Sequence, residues 1–374
     1  MPFLLPGISN RDFGRLCGQQ QPTVYALRAM SFDFNAAVHT PHRMQPGLRR
    51  LAPGALQLTP SVVPHRGAAR HLREKLAVLW AFRAQALLCV PGFDAGPALR
   101  ALAAHAAAEH AGALRIVGSG HGDGPGRATW QAPWLGWALN EGDEPQDIGT
   151  GWPEIGTLLH QLPREWRRAA LLSLAFAEDF AVLDGATGTL PWLAVALPSM
   201  WAPEHKIGRH FTAVHAPVAD NQLIVGAAPQ LIKLVTTLLN PQDRWERFVW
   251  TLTAHPRLHG HPQRVDPARW PAGLQGDALA AQTWWRTERQ TFIPVPAAAG
   301  APQQAVFTIL VDVSPLATAF SHPADAGRVH DALASMSDAV LAYRGLGAVR
   351  DELLRWLARR AAASGTAPPA NAAP

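Results

Sequence analysis

Trp284-Trp-Arg-Thr-Glu-Arg-Gln-Thr-Phe292 is rich in aromatic and β-branched residues. Across a Pro/Ala/Gly-rich turn at 294–302 it is followed by a second such segment, Ala305-Val-Phe-Thr-Ile-Leu-Val-Asp312. Both read as strands joined by a turn, and they place a sheet late in the chain. Period two puts Arg286, Glu288 and Gln290 on one face of the first strand. Trp285, Thr287, Arg289 and Thr291 take the other. Such a charged row is either a solvated face with an Arg–Glu pair or the wall of a polar pocket. In the second case the carboxylate suits an ammonium group, and the guanidinium groups suit carboxylates.

Upstream, Leu197-Pro-Ser-Met-Trp-Ala-Pro-Glu-His-Lys-Ile-Gly-Arg-His-Phe-Thr-Ala-Val-His-Ala-Pro-Val218 crowds a strand end, a Pro-bounded turn and three histidines together. The apolar run 192–197 reads as a strand stopped by Pro198 and Pro203. A helix is expected from near Glu204, whose carboxylate suits a helix N-terminus. In that helix Ile207, Phe211 and Val214 share an apolar face with His215, and Pro217 ends it. A histidine there is either a core residue with one hydrogen bond or an axial haem ligand, since iron takes a neutral imidazole. His205, His210 and His215 recur every five residues. On a helix each is rotated by about 140° from the last, so they are not a chelating pair.

Composition bounds the remaining possibilities. Only 16% of the 374 residues are charged and 48% are hydrophobic, which marks a globular chain with a large core. Fourteen Trp against two Tyr supply core filling and, for a few of them, walls for a flat ligand. The formal charge of +5 comes from scattered Lys and Arg that never run longer than two, so no nucleic-acid stripe is present. Cys17 and Cys89 are the only cysteines. They make no disulfide framework, no Cys-x-x-Cys-His haem tether and no iron–sulfur cluster, so a haem would be held without covalent attachment. With no basic leader and no apolar run long enough for a bilayer, the expectation is a cytoplasmic protein without a membrane segment.

The rest of the chain reads more coarsely. Residues 1–40 form an irregular lead-in, and 41–51 an extended arm turning at Pro46-Gly47. Helical periods cover 68–90, 97–113, 155–168, 168–183, 231–239 and 244–253, and most of 325–360. Leu114–Val117 and 128–139 are strands flanking the Gly-rich loop 118–126. That loop lacks the Gly-Lys-Ser/Thr of a phosphate loop and reads as a plain hairpin connection. His255 and His259 have zinc-pair spacing, but Pro256 and Gly260 break the helix that would align them, so 253–262 is expected to be an exposed turn.

The blocks 197–209, Val-His-Ala-Pro-Val (214–218) and Arg-Thr-Glu-Arg-Gln-Thr-Phe (286–292), with Phe-Thr-Ile at 307–309, together resemble the haem-dependent oxidative N-demethylase family. Glu178-Asp179 and the arm Met-Gln-Pro-Gly-Leu-Arg-Arg-Leu (44–51) fit it too. Phe292, Ala219 and Val214 stand where the family usually has Leu, Pro and Ile. The resemblance, over about residues 40–345, implies an α+β fold, a PAS-like antiparallel sheet with flanking helices that binds haem b; residues 41–360 are expected to form this single domain, and the Ala/Pro-rich end at 361–374 reads as a disordered tail. It also implies O2-dependent demethylation of a small amine such as dimethylamine, with electrons from separate flavin and iron–sulfur subunits. His215 is then the expected iron ligand, with His210 as its rival and Cys89 as an outside candidate. Lys206, Arg209, Arg286 and Arg289 are expected at the propionates, with Trp201 against the cofactor. Glu288, with Arg286 and Gln290 beside it, is expected at the substrate. A non-catalytic PAS-like haem sensor and a zinc hydrolase built on His255, His259 and His261 are the alternatives.

Overall fold

The structure is a computed structural model that describes residues 32–64, 69–118, 128–149, 151–235, 243–266, 269–297 and 303–362. The Gly-rich loop beyond Gly118, most of the N-terminal lead-in and most of the C-terminal tail lie outside them. The described strands are β1 (Arg49–Arg50), β2 (Leu87–Cys89), β3 (Arg115–Val117), β4 (Thr129–Ala132), β5 (Trp137–Leu139), β6 (Pro145–Asp147), β7 (Asp179–Asp184), β8 (Trp192–Ala194), β9 (Trp245–Thr253), β10 (Trp284–Val295) and β11 (Gln304–Pro315). Seven of them form one sheet in the order β1-β9-β10-β11-β7-β8-β2, and the other four form a small sheet, β3-β4-β5-β6. Every pairing is antiparallel, so with its flanking helices the chain is a mixed α+β protein.

The two expected late strands are the centre of the large sheet, longer than their sequence signal. β10 and β11 pair over twelve residues each, with Glu288 opposite Val311 and Phe292 opposite Phe307. Three segments expected to be helical are strands instead. β9 fills the free edge of β10, with Val249 opposite Glu288. Its Trp-Glu-Arg-Phe-Val-Trp-Thr-Leu-Thr sequence mixes apolar and polar residues on both faces, so the helical period read there does not distinguish helix from strand. The propensity of its aromatic and β-branched residues and a long partner strand decide the outcome. Helix Arg164–Ala175 stops short, and β7 follows, buried along nearly its whole length. A strand covered on both faces has no alternation to read. Helix Arg70–Ala86 likewise ends before β2, which pairs with β8.

The helix expected from Glu204 is broken in two. Pro203–His205 is a single 3-10 turn, Gly208 adopts φ +70°, and a new helix runs only from Phe211 to His215. A left-handed residue at Gly208 ends any helical run, which is the conformation glycine adopts without steric cost. Downstream, helices Pro323–Ala334, Asp338–Tyr343 and Arg350–Ala362 follow the expected helical stretch. They bury Trp250 and Trp285 in a second core beside the sheet. No helix among the described residues is long and apolar enough to cross a membrane.

A buried polar cluster joins helix Arg70–Ala86 to β7. Lys75 is fully buried, 3.2 Å from Asp179, and donates to the carbonyls of Phe176 and Glu178. Asp179 in turn accepts from the Leu197 amide, which fixes the chain as it enters the 197–218 stretch. Burial pushes the adjacent Glu178 carboxyl up from 4.5 to about 7, although the Thr59 amide donates to it. Its raised pKa means that the folded state holds the proton more tightly. This contribution to stability is complete below the unfolded value and is lost as pH rises through about 7. Glu178→Gln keeps an acceptor for Thr59 and removes the charge. It should therefore raise the melting temperature at about pH 8 and leave it nearly unchanged near pH 4. Thermal melts at the two pH values check this, and equal shifts at both would refute the assignment.

Candidate functional site

A cavity of about 600 Å³ opens between one face of the large sheet, the 199–234 segment and the N-terminal arm at Met44, Pro46 and Leu48. That volume lies in the range of cofactor and small-molecule sites. The sheet side follows from period two. Arg286, Glu288, Gln290 and Phe292 of β10 line the cavity, beside Arg247, Val249 and Thr251 of β9. Beyond β11, Ala181 and Leu183 of β7 and Leu193 of β8 continue an apolar floor.

The opposite wall carries the histidine. His215 closes the short helix Phe211–His215, and its ring lies 4.3 Å from the Phe211 ring, tilted against it. Its Nδ1 is 2.9 Å from the Phe211 carbonyl oxygen. A carbonyl only accepts, so Nδ1 carries the proton and Nε2 keeps a lone pair. Burial lowers the ring's pKa from 6.5 to about 4, the Phe211 hydrogen bond opposing and Lys206 and Arg247 adding to the depression. The result is a neutral imidazole on the wall of a largely apolar cavity. His210 is placed differently. It is the N-cap of the same helix, bonded to Thr212, and it does not line the cavity. His205 is exposed.

The predicted cations separate into two pairs. Lys206 lines the cavity, donates to the Val214 carbonyl at 3.2 Å and lies 4.8 Å from the centre of the Trp201 ring, another lining residue. Burial lowers its pKa to about 8, with Glu288 opposing. Arg286 also reaches the cavity, but its guanidinium is committed to oxygens of the 198–199 and 257–258 segments. Arg209 and Arg289 do not reach it. Arg209 is exposed beyond the Gly208 turn. Arg289 points to the other face of β10, 2.7 Å from Glu246 and 2.9 Å from the Leu56 carbonyl. The strand alternation that separates Glu288 from Arg289 requires that outcome.

Two cations take their place. Arg247 on β9 has an Nε without a hydrogen-bond partner among the described residues, and Arg344, just past helix Asp338–Tyr343, has such an Nη1. Desolvation holds both guanidinium groups below their ordinary range, Arg344 at about 10. Arg344 lies 5.3 Å from the centre of the Trp250 ring. Buried donors without acceptors are costly unless a ligand supplies them. Sequence reasoning missed Arg247 because β9 was read as a helix. Read as a strand, its alternation puts Arg247 on the Val249 face. Arg344 lies after a helix end, where no period points to it.

Glu288 is the one carboxylate among the described cavity-lining residues, and it accepts a hydrogen bond from the Gln290 amide. Cys89 lies on β2, away from the cavity, and donates to backbone carbonyls. Burial raises its pKa, the opposite of a reactive thiolate. The 253–262 turn is not exposed as expected: His259 is 8% and His261 1% accessible. His259 is bonded to the Ala196 carbonyl and His261 to Glu204. Among the described residues no three His, Cys, Asp or Glu side chains come together as a metal site.

A neutral imidazole, buried donors lacking acceptors and a single carboxylate thus line one largely apolar cavity, a set of groups that can pair with an anionic ligand and with a small cation. Residues 160–354 match the family model described as haem-dependent oxidative N-demethylase, alpha subunit-like. The match covers just over half of the 374 residues and contains most of the cavity wall, including His215, Arg247, Glu288 and Arg344. The chain belongs to the haem-dependent oxidative N-demethylase, alpha subunit-like family.

Proposed function

We propose that the chain is a haem b monooxygenase that removes a methyl group from a small alkylamine. The reading takes residues 41–360 as one haem-binding domain whose large sheet is PAS-like. The observation that carries it is one cavity lined both by His215, neutral with Nε2 unprotonated, and by Arg247 and Arg344, which have buried donors, Nε and Nη1, without acceptors among the described residues. Both suit haem, since an imidazole is one of the ligands its iron takes and cations pair with its two propionates.

In this reading His215 would hold the iron, and its Nδ1–H bond to Phe211 orients the ring and raises its basicity. Arg247 and Arg344 would pair with the propionates, and Lys206 would add positive charge along the same wall. Bound there, haem b supplies oxygen activation and one-electron chemistry. The chain's own residues do the rest. Phe211, Trp201 and the β7–β8 floor keep water out. Glu288, fixed by Gln290, meets the substrate nitrogen as counter-ion or as acceptor of its proton. Overall, an N-methyl amine, O2, two electrons and two protons give formaldehyde, the shorter amine and water. With two cysteines and no dinucleotide-binding fingerprint this chain has no evident electron donor of its own, and the family resemblance implies separate flavin and iron–sulfur subunits as the source.

The purified protein, supplied with haem, should hold it at roughly one equivalent and release it to acidic solvent, because nothing tethers it covalently. With an added electron donor and dimethylamine it should release formaldehyde. A preparation that shows no Soret band after haem is supplied would sink the reading. A haem protein that binds amine but never yields formaldehyde would leave binding and remove catalysis.

A further inference from the structure

We propose that Arg286 is a positioning residue, a buried clasp that holds the 199–201 wall of the cavity against the 257–260 segment and so sets the space beside Glu288. The sequence reading placed it at the propionates and the substrate. The geometry gives it different work.

Arg286 is only 1% accessible. Its Nε donates to Ser199 Oγ at 2.8 Å, its Nη1 to the Arg257 carbonyl at 2.9 Å, and its Nη2 to the carbonyls of Pro198 and Leu258 at 3.1 and 2.6 Å. The two segments also bond to each other. Gly260 N–H donates to the Pro198 carbonyl at 2.8 Å, and Met200 N–H to the Gly260 carbonyl at 3.0 Å. Met200 is held at φ +62°, a conformation unusual for a residue with a side chain, so the surrounding bonds must hold it there. Glu74 secures the far side of 257–260 by accepting from the Leu258 and His259 amides at 2.9 and 3.0 Å. Ser199, Met200 and Trp201 all line the cavity. The fork geometry of a guanidinium reaches all four oxygens at once, which an ammonium cannot do. Arg286 sits two positions before Glu288 on the same strand face, so the wall it fixes is the one next to the carboxylate.

Hydrogen exchange on the intact protein tests the clasp directly. In Arg286→Lys the amides of Met200 and Gly260 should exchange roughly tenfold faster or more, and in Ser199→Ala, which removes one of the four acceptors, by roughly threefold to tenfold. Central sheet amides such as those of Ile309 and Val311 should keep their protection. If Arg286→Lys does not fold, Ser199→Ala decides. Uniform acceleration through the sheet would make Arg286 an ordinary stabilising residue, and unchanged exchange at Met200 and Gly260 would remove the clasp. A second measurement rests on the haem and amine reading above. In haem-loaded Ser199→Ala, dimethylamine affinity should weaken by roughly threefold or more while the axial-ligand spectrum stays as in the parent. Localised exchange with unchanged amine affinity would overturn the link between clasp and cavity. Parent protein that binds no amine would instead sink the functional reading, and the exchange result would still decide the clasp.

Discussion

His215→Ala should abolish the axial-ligand spectrum and cost haem affinity by at least about a hundredfold, the scale on which losing even an outer-shell partner of a metal ligand acts. His210→Ala should keep both. The two rings are five residues apart in sequence but face different surroundings. His215 ends its helix with Nδ1 bound to Phe211 and lines the cavity, whereas His210 caps the same helix through Thr212 outside it. Losing that cap costs the short helix about 1 kcal/mol, which loosens the His215 ring without removing it. Haem titration and the low-spin or high-spin signature of each variant separate the two cases. Added imidazole should restore the spectrum of His215→Gly, because it refills the space the ring leaves. If His210→Ala is the variant that bleaches, His215 is a core histidine and the cavity's iron ligand lies elsewhere.

The parts of this site that sequence made legible are those where one face of an element is polar and the other is not. β10 carries Arg286, Glu288 and Gln290 on one face and Trp285, Thr287 and Arg289 on the other, and that alternation survives in the structure. It also separates Glu288 from Arg289, although the two were expected to serve the same site. Where both faces of a strand are covered, as in β7, or both mix apolar and polar residues, as in β9, helix and strand look alike over six to nine residues. Arg247 was lost through that ambiguity. The break at Gly208 was readable in principle, since a glycine inside a short helical pattern is a warning, but only packing shows that the chain turns left-handed there. Arg286 illustrates another limit. Its face was evident, but its partners are the Ser199 hydroxyl and the Pro198 carbonyl, nearly ninety positions upstream, and carbonyls about thirty upstream, which no local pattern encodes.

Glu288→Gln should leave haem content intact while dimethylamine affinity and turnover fall by roughly tenfold or more, the effect of about 1.4 kcal/mol. The argument begins with what the residue is not. A surface Arg–Glu pair would be worth at most about 1 kcal/mol, but Glu288 is 9% accessible, and Arg286 makes its hydrogen bonds to other oxygens. Its bonded neighbour is the neutral Gln290 amide, so its charge faces the cavity without a hydrogen-bonded cation. Lys206, Arg247 and Arg286 interact electrostatically with it, and with Arg344 on the same cavity wall they make an excess of positive charge that repels a bare alkylammonium. In the proposed reading the two propionates would offset part of that excess. A small hydrated cation still loses its water on entry, and only a fixed carboxylate in reach can compensate or take its proton. Glutamine preserves the shape and the acceptor for Gln290 while removing the charge, so the substitution isolates the electrostatic role. Amine titration followed by the Soret shift, with formaldehyde release measured alongside, reads both roles in one protein. A counter-ion shows in affinity first, a proton acceptor in rate first. If Glu288→Gln binds and turns over amine as the parent does, the carboxylate belongs to the wall, and the amine must be recognised by the apolar surface and haem alone.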